Sequence, residues 1–292
     1  MKIGIAGTGR MGAAIAQRLM NLGHELTVWN RTLAKTQPLA AAGAKVAATP
    51  FQTASFSETV ITILTDATAI ESAYHAREGL LSGSVAGKLF IEMSTVRPET
   101  EQRLSAKIRE KGASMIDCPV GGTVGPARDG RLFGFVGGEA SDVARAKPLL
   151  EQLCRRVEHV GPVGAGASMK LAINLPLLVF WQAFGEALAL CRSLGLDAAR
   201  IVDIFADTSG GPNVLKGRGA ALTAALQDKD VGLITVDIEA MRKDLGTMIE
   251  EAQSLGTALP VTSSALQCYD EALRAGLGKS DITAIPMRWM KK

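Results

Sequence analysis

Residues 1 to 32 read MKIGIAGTGRMGAAIAQRLMNLGHELTVWNRT, and the reading of this stretch decides the architecture. A short apolar run, KIGIAG, leads directly into glycines at positions 7, 9 and 12. GAAIAQRLMNLG then carries its apolar residues at helical spacing and ends on a glycine, and a second β-favouring run, ELTVWN, follows. Strand, glycine loop, helix and strand within about thirty residues form a βαβ unit, the setting in which GxGxxG has physical meaning. Gly7 allows the tight turn, Gly9 lets the backbone approach a pyrophosphate, and Gly12 lets helix and sheet pack closely. The helix start, with Arg10 and Met11, offers unpaired N–H groups to the anion. This stretch is expected to bind a dinucleotide.

The end of the second strand selects which one. An NAD site has Asp or Glu there, about twenty residues after the loop, to hold the ribose 2′-hydroxyl. This chain has Trp29-Asn30-Arg31-Thr32. Asn30 stands in the acid's place without its charge, Arg31 can pair with a 2′-phosphate, and Thr32 can donate a hydrogen bond to it. The expected cofactor is NADP(H) in preference to NAD(H).

Working outward, VITILT, KLFIEMS, SMIDCP, FGFVGG and VEHVG continue the strand pattern to about residue 161, several almost continuously apolar as parallel strands covered on both faces are. Segments such as TEQRLSAKIREKG between them have helical spacing. Beyond residue 162 strand signals stop, and 165–195, 197–208, 213–227, 231–256 and 261–276 read as helices. The expected fold class is α/β. An N-terminal Rossmann domain with a doubly wound, mainly parallel sheet (residues 1–161) precedes an all-α C-terminal domain (residues 162–292).

A net charge of +3 without a long basic run speaks against nucleic acid as a partner. Four cysteines without CxxC spacing argue against a zinc site or a disulfide framework, so no metal is expected and a reducing cytoplasm fits. The N-terminus lacks the apolar core of a signal peptide. The apolar run after Lys170 is interrupted by Asn174, Pro176, Gln182 and Glu186, and is expected to fall short of the roughly 20 residues that span a bilayer. A cytoplasmic protein without a membrane partner is expected.

Hydride chemistry needs a group that moves the alcohol proton. His24, His75 and His159 sit in a turn, on a helix and at a strand end, none in a setting that singles it out. Lys170 stands at the mouth of an apolar helix, and Asn174, four residues on, shares its face. A half-buried amine titrates closer to neutrality, which suits proton transfer. Spacing alone leaves equally open a helix-entry lysine reaching water, with Asn174 in a polar notch. Asp117-Cys118-Pro119-Val120-Gly121-Gly122-Thr123 reads as a strand end entering a loop of exposed N–H groups that can hold a carboxylate, or as a plain glycine loop. Glu92-Met93-Ser94-Thr95 ends another strand on the expected cofactor side, and Lys243-Asp244 reads as an exposed ion pair.

In this order, GIAGTGRMGAAIAQRLMNLGHELTVWNRT, DCPVGGTVGPARDGRL, GAGASMKLAIN and KDLGTMIEEAQSLGTALPV resemble the β-hydroxyacid dehydrogenase family, over essentially the whole chain. That family includes 3-hydroxyisobutyrate dehydrogenase and semialdehyde reductases and is related to 6-phosphogluconate dehydrogenase. The resemblance implies Lys170 as general acid/base with Asn174 as its polar partner. It implies that Gly121, Gly122 and Thr123 hold the carboxylate of a small-molecule substrate, and that Leu64, Thr65, Thr95 and Lys243 join the glycine loop in holding the cofactor. It also implies a homodimer or homotetramer. The expected activity is NADP(H)-dependent interconversion of a short β-hydroxy acid and its semialdehyde. Two rivals are an imine reductase of the same architecture, whose members generally lack the lysine, and a non-catalytic NADP(H) sensor. The chain departs from the family where Gly121 replaces the serine of DAPVSGG and where Leu175 replaces a second asparagine.

Overall fold

The computed structural model describes residues 1–291 and divides into two compact units, Met1–Leu171 and Ala172–Lys292. The first is built on one sheet of β1 (Lys2–Ala6), β2 (Glu25–Trp29), β3 (Lys45–Val46), β4 (Thr59–Thr62), β5 (Leu89–Glu92), β6 (Ser114–Asp117), β7 (Val120–Gly121), β8 (Leu132–Gly137) and β9 (Cys154–Gly161). The order is β3-β2-β1-β4-β5-β6-β8-β7, with β9 also paired to β8. From β3 to β6 every pairing is parallel. This is the doubly wound order, which reverses direction between β1 and β4 and opens a crevice at the strands' carboxyl ends. β8 runs antiparallel to β6 and β7 and parallel to β9.

Alternation along the strands builds two cores. Ile3, Ile5, Leu89, Ile91 and Ile116 turn to one face, against Ile15 and Leu19 of α1 (Arg10–Asn21) and Leu149 and Leu150 of α7 (Ala140–Leu153). Val60, Phe90 and Met115 turn to the other, against Ile70 and Tyr74 of α4 (Ala67–His75) and Leu104 and Ile108 of α5 (Pro98–Glu110). Shorter helices α2 (Gln37–Ala41), α3 (Pro50–Ser55) and α6 (Val124–Asp129) complete the unit. Pro98 at the first position of α5, Glu99 in its first turn, and Lys107 and Arg109 in its last all suit the helix dipole.

α8 (Ala165–Cys191) contributes its opening turns to the first unit and continues through Pro176 into the second. There Leu178, Trp181, Phe184 and Leu188 are buried. Phe184 and Leu188 pack on Ile201 and Val202 of α9 (Ala198–Ala206) and on Leu215 and Leu222 of α10 (Asn213–Leu226). α11 (Ile238–Ser254), α12 (Pro260–Arg274) and α13 (Ala284–Lys291) follow. The buried Tyr269 hydroxyl donates to the Leu178 carbonyl at 2.9 Å, joining α12 to α8.

Four expectations need correction. The helix expected from residue 231 starts at Ile238, because the Asp237 carboxylate accepts the Ala240 N–H at 2.9 Å and caps it there. The strand signal does not stop wholly at residue 162, since Asp237 forms an isolated antiparallel bridge with Asp281. Residues 120–121 are a strand and not a free loop: Val120 pairs with Gly134, and Gly121 with Phe133. Finally, the helical stretch Ala165–Leu194, 30 residues, is long and apolar enough to cross a membrane. Its polar residues are few enough that its most apolar window keeps a mean hydropathy of 1.4, and 39% of that window is buried inside the structure.

Candidate active site

The glycine loop joins β1 to α1. Gly7 has φ +102°, left-handed backbone that glycine tolerates, and its N–H donates to the Trp29 carbonyl at 2.8 Å. A Cβ on Gly12 would collide with the Gly7 carbonyl oxygen, so that glycine sets the approach of helix to strand. A Cβ on Gly9 would meet nothing within 4 Å. Gly9 is also the residue that caps α1, and it has no side chain to accept from the helix's first N–H groups. Open space at the start of a helix fits a pyrophosphate.

Asn30 braces this loop. Its Oδ1 accepts the Thr8 N–H at 3.0 Å and its Nδ2 donates to the Thr32 carbonyl at 3.0 Å. The Thr8 hydroxyl donates to the Lys35 carbonyl at 3.2 Å. Arg31, Thr32 and Arg10 are exposed beside the loop, while Met11 is half-buried against the core.

At the carboxyl ends of β4, β5 and β6, Thr62, Glu92 and Asp117 stand in register and fully buried. The Tyr74 hydroxyl lies 2.8 Å from Thr62 Oγ1, which donates to Glu92 Oε2 at 2.9 Å; Glu92 Oε1 accepts the Ser94 N–H at 2.6 Å. The Ser94 hydroxyl in turn accepts the Leu64 N–H at 2.7 Å. The polar row therefore shapes two turns, 62–65 and 92–95, in which Leu64 and Thr95 are half-buried and Thr65 is exposed. Thr65 donates to Asp66, the cap of α4. Burial pushes Glu92 up to about 7, against the hydrogen bonds from Ser94 and Thr62 that favour its charged form. Glu101 of α5 is buried nearby with neither carboxyl oxygen hydrogen-bonded, and burial with the charges of Glu92 and Asp117 raises it well above the usual range. Neither Glu101 nor Tyr74 stands out in the sequence. The legible signal was a run of acids or threonines each ending an apolar strand.

Lys170 and Asn174 are both half-buried, one turn apart on α8. The start of α8 rests on Asp117, whose Oδ1 accepts the Gly164 N–H and Oδ2 the Ala167 N–H, each at 2.8 Å. Burial lifts Asp117 to about 6, opposed by these backbone donors. From Asp117 the chain runs through β7 to Gly122, exposed at φ +128°, and to Thr123, which begins α6 without using its side chain as a cap. Gly121 is half-buried, and a Cβ there would only touch Phe133 and Phe135 at about 3.6 Å, ordinary contact.

In the second unit, Lys243 pairs with Asp244 at 2.7 Å, and the pair is partly buried (33% and 18% exposed) instead of fully exposed as expected. The histidines hold local contacts: His24 with Gln152 at 2.7 Å, His75 with Glu71 at 3.9 Å, and His159 with the Gly138 carbonyl at 2.8 Å.

A doubly wound sheet with this loop, followed by a helical unit, defines the class of NAD(P)-binding dehydrogenases and reductases. Residues 2–161 match the model of the NAD binding domain of 6-phosphogluconate dehydrogenase, and residues 164–288 that described as NAD-binding of NADP-dependent 3-hydroxyisobutyrate dehydrogenase. The 3-hydroxyisobutyrate dehydrogenase of Pseudomonas aeruginosa is 34% identical over 96% of both chains. The NAD-dependent L-serine dehydrogenase of the same organism is 32% identical, over 97% of this chain and 96% of its own. The solved structure of Psf3 in complex with NADP+ and 2-OPP is 27% identical, covers 99% of each chain and superposes with a TM-score of 0.85. The chain belongs to the β-hydroxyacid dehydrogenase family, NAD(P)-dependent enzymes acting on CH–OH groups.

Proposed function

We propose that the protein interconverts a short β-hydroxy acid and its semialdehyde with NADP(H), Lys170 acting as general acid/base. The observation that carries this reading is a half-buried lysine with an asparagine one turn on, in an opening helix fastened to the strand that leads into the 120–123 segment. When bound, the nicotinamide supplies or takes the hydride. Lys170 Nζ gives a proton to the carbonyl oxygen during reduction and takes it from the hydroxyl during oxidation; its charge also favours the developing alkoxide. Asn174 orients the amine or the substrate hydroxyl. Gly121, Gly122 and Thr123 hold the substrate carboxylate. Gly7, Gly9 and Gly12, the backbone of Arg10 and Met11, and residues Leu64, Thr65, Thr95 and Lys243 hold the cofactor.

NADP(H) is preferred because β2 ends without an acid and Arg31 is exposed beside it, free of the negative charge that would repel a 2′-phosphate. A homodimer or homotetramer is inferred from the resemblance to the family.

The test is the absorbance change of NADPH with a panel of short semialdehydes, for the wild type and Lys170→Ala. Lysine-dependent turnover of at least one is expected, with NADPH affinity nearly unchanged in the variant. Equal turnover without the lysine sinks the mechanism.

A further inference from the structure

The first N–H groups of a helix need acceptors, and a nearby Ser, Thr, Asp or Asn ordinarily supplies one. α8 has none at its start, where the chain reads Gly161-Pro162-Val163-Gly164-Ala165-Gly166-Ala167. The Ala165 N–H donates to the Pro162 carbonyl at 2.9 Å, and its neighbours turn instead to Asp117, 47 residues before Gly164, at the end of β6. Gly164 and Ala167 each donate to one carboxylate oxygen at 2.8 Å, and the Gly166 N–H also points to the group. The seat is tightly made. A Cβ on Gly137 would collide with Asp117 Oδ1, and one on Gly166 would collide with the Phe135 carbonyl and come within 2.8 Å of Asp117 Oδ2.

Asp117 is also four residues from Gly121, along a segment whose backbone is pinned to β8 at Val120 and Gly121. One fully buried side chain therefore joins the start of the lysine-bearing helix to the start of the glycine segment. We propose that Asp117 is a positioning residue, holding Lys170 in register with residues 121–123. This rests on the roles given to Lys170 and to that segment above. The acid groups beside Asp117 are Glu92 on β5 and Glu101 on α5, and neither of them accepts a hydrogen bond from α8.

Asp117→Asn keeps the size of the side chain but turns an N–H₂ toward one of the helix donors. Expected are a fall in kcat of about 100-fold, the scale set by an ångström's misplacement, and an NADPH dissociation constant within about twofold of wild type. Amide exchange read by mass spectrometry should speed up by about tenfold or more in peptides covering 164–171, with the glycine loop of residues 7–12 unchanged. A kcat within about threefold of wild type, or unchanged exchange at 164–171, overturns the proposal. If Asp117→Asn does not fold, the wild type carries the test. The Gly164 and Ala167 amides should exchange as slowly as those of β6, and exchange at the rate of an unstructured chain overturns it. If the wild type turns over no semialdehyde, the reading of the activity fails by itself and exchange still decides whether Asp117 holds the helix.

Discussion

Replacing Glu92 with glutamine removes an acid without removing a hydrogen bond. In the wild type Glu92 accepts from the Ser94 N–H and from the Thr62 hydroxyl, which in turn faces the Tyr74 hydroxyl. In Glu92→Gln the amide oxygen keeps the Ser94 bond. The amide N–H₂ donates to Thr62 Oγ1, and Thr62 turns its own proton to Tyr74, since either hydroxyl of that pair can be the donor. Packing is preserved, so only the ionisation differs. Burial raises Glu92 from 4.5 to about 7. A carboxyl raised on folding contributes stability that is fully present below pH 4.5 and is lost as pH rises through 7. At about 1.36 kcal/mol per pH unit, the loss is about 3 kcal/mol. The variant should therefore unfold within about 1 kcal/mol of wild type at pH 4.5, and be more stable by about 3 kcal/mol at pH 8.5. In thermal melts that difference is roughly 6 to 12 °C at the higher pH, for a unit of this size. Urea unfolding at the two pH values is the direct assay. A variant less stable than wild type by the same amount at both would refute the reasoning, because it would mean that lost hydrogen bonding, not the buried charge, governs this site.

Other perturbations follow from single contacts. Arg31→Ala should lower the preference for NADPH over NADH by roughly tenfold or more, as expected for loss of a charge-assisted phosphate contact; an unchanged ratio of kcat/KM values would show that the 2′-phosphate is held elsewhere. Gly12→Ala drives a methyl group into the Gly7 carbonyl, so NADPH binding by fluorescence titration should be abolished or weakened by at least about 100-fold. In the helical unit, Arg218 pairs with the buried Asp281 at 2.9 Å. Arg218→Ala leaves that carboxylate without its cation and should destabilise the unit by roughly 3 to 5 kcal/mol in urea unfolding.

Periodicity carried most of the fold. The glycine loop, the parallel strands and five helices are local patterns, each readable because apolar residues recur every second or about every fourth position and glycines mark the ends. Lys170 and Asn174 were readable for the same reason, since a four-residue spacing places them on one helix face whatever surrounds it. Two-residue strands are beyond this reach: Val120 and Gly121 pair only because β8 lies beside them, and Lys45 and Val46 only because β2 does. The onset of α11 at Ile238 depended on one carboxylate finding one amide.

What tertiary structure alone decided is the partnership of residues remote in the chain. Strand register brought Thr62, Glu92 and Asp117 side by side at the carboxyl ends of three strands, and burial then raised the proton affinity of both acids. Asp117 became the cap of α8 because that helix lacks an acceptor of its own and starts on glycines small enough to reach a strand formed 47 residues earlier. A local pattern determines which backbone a segment prefers. Only the folded sheet determines which charges meet, because their separation is set by register and packing and not by spacing along the chain.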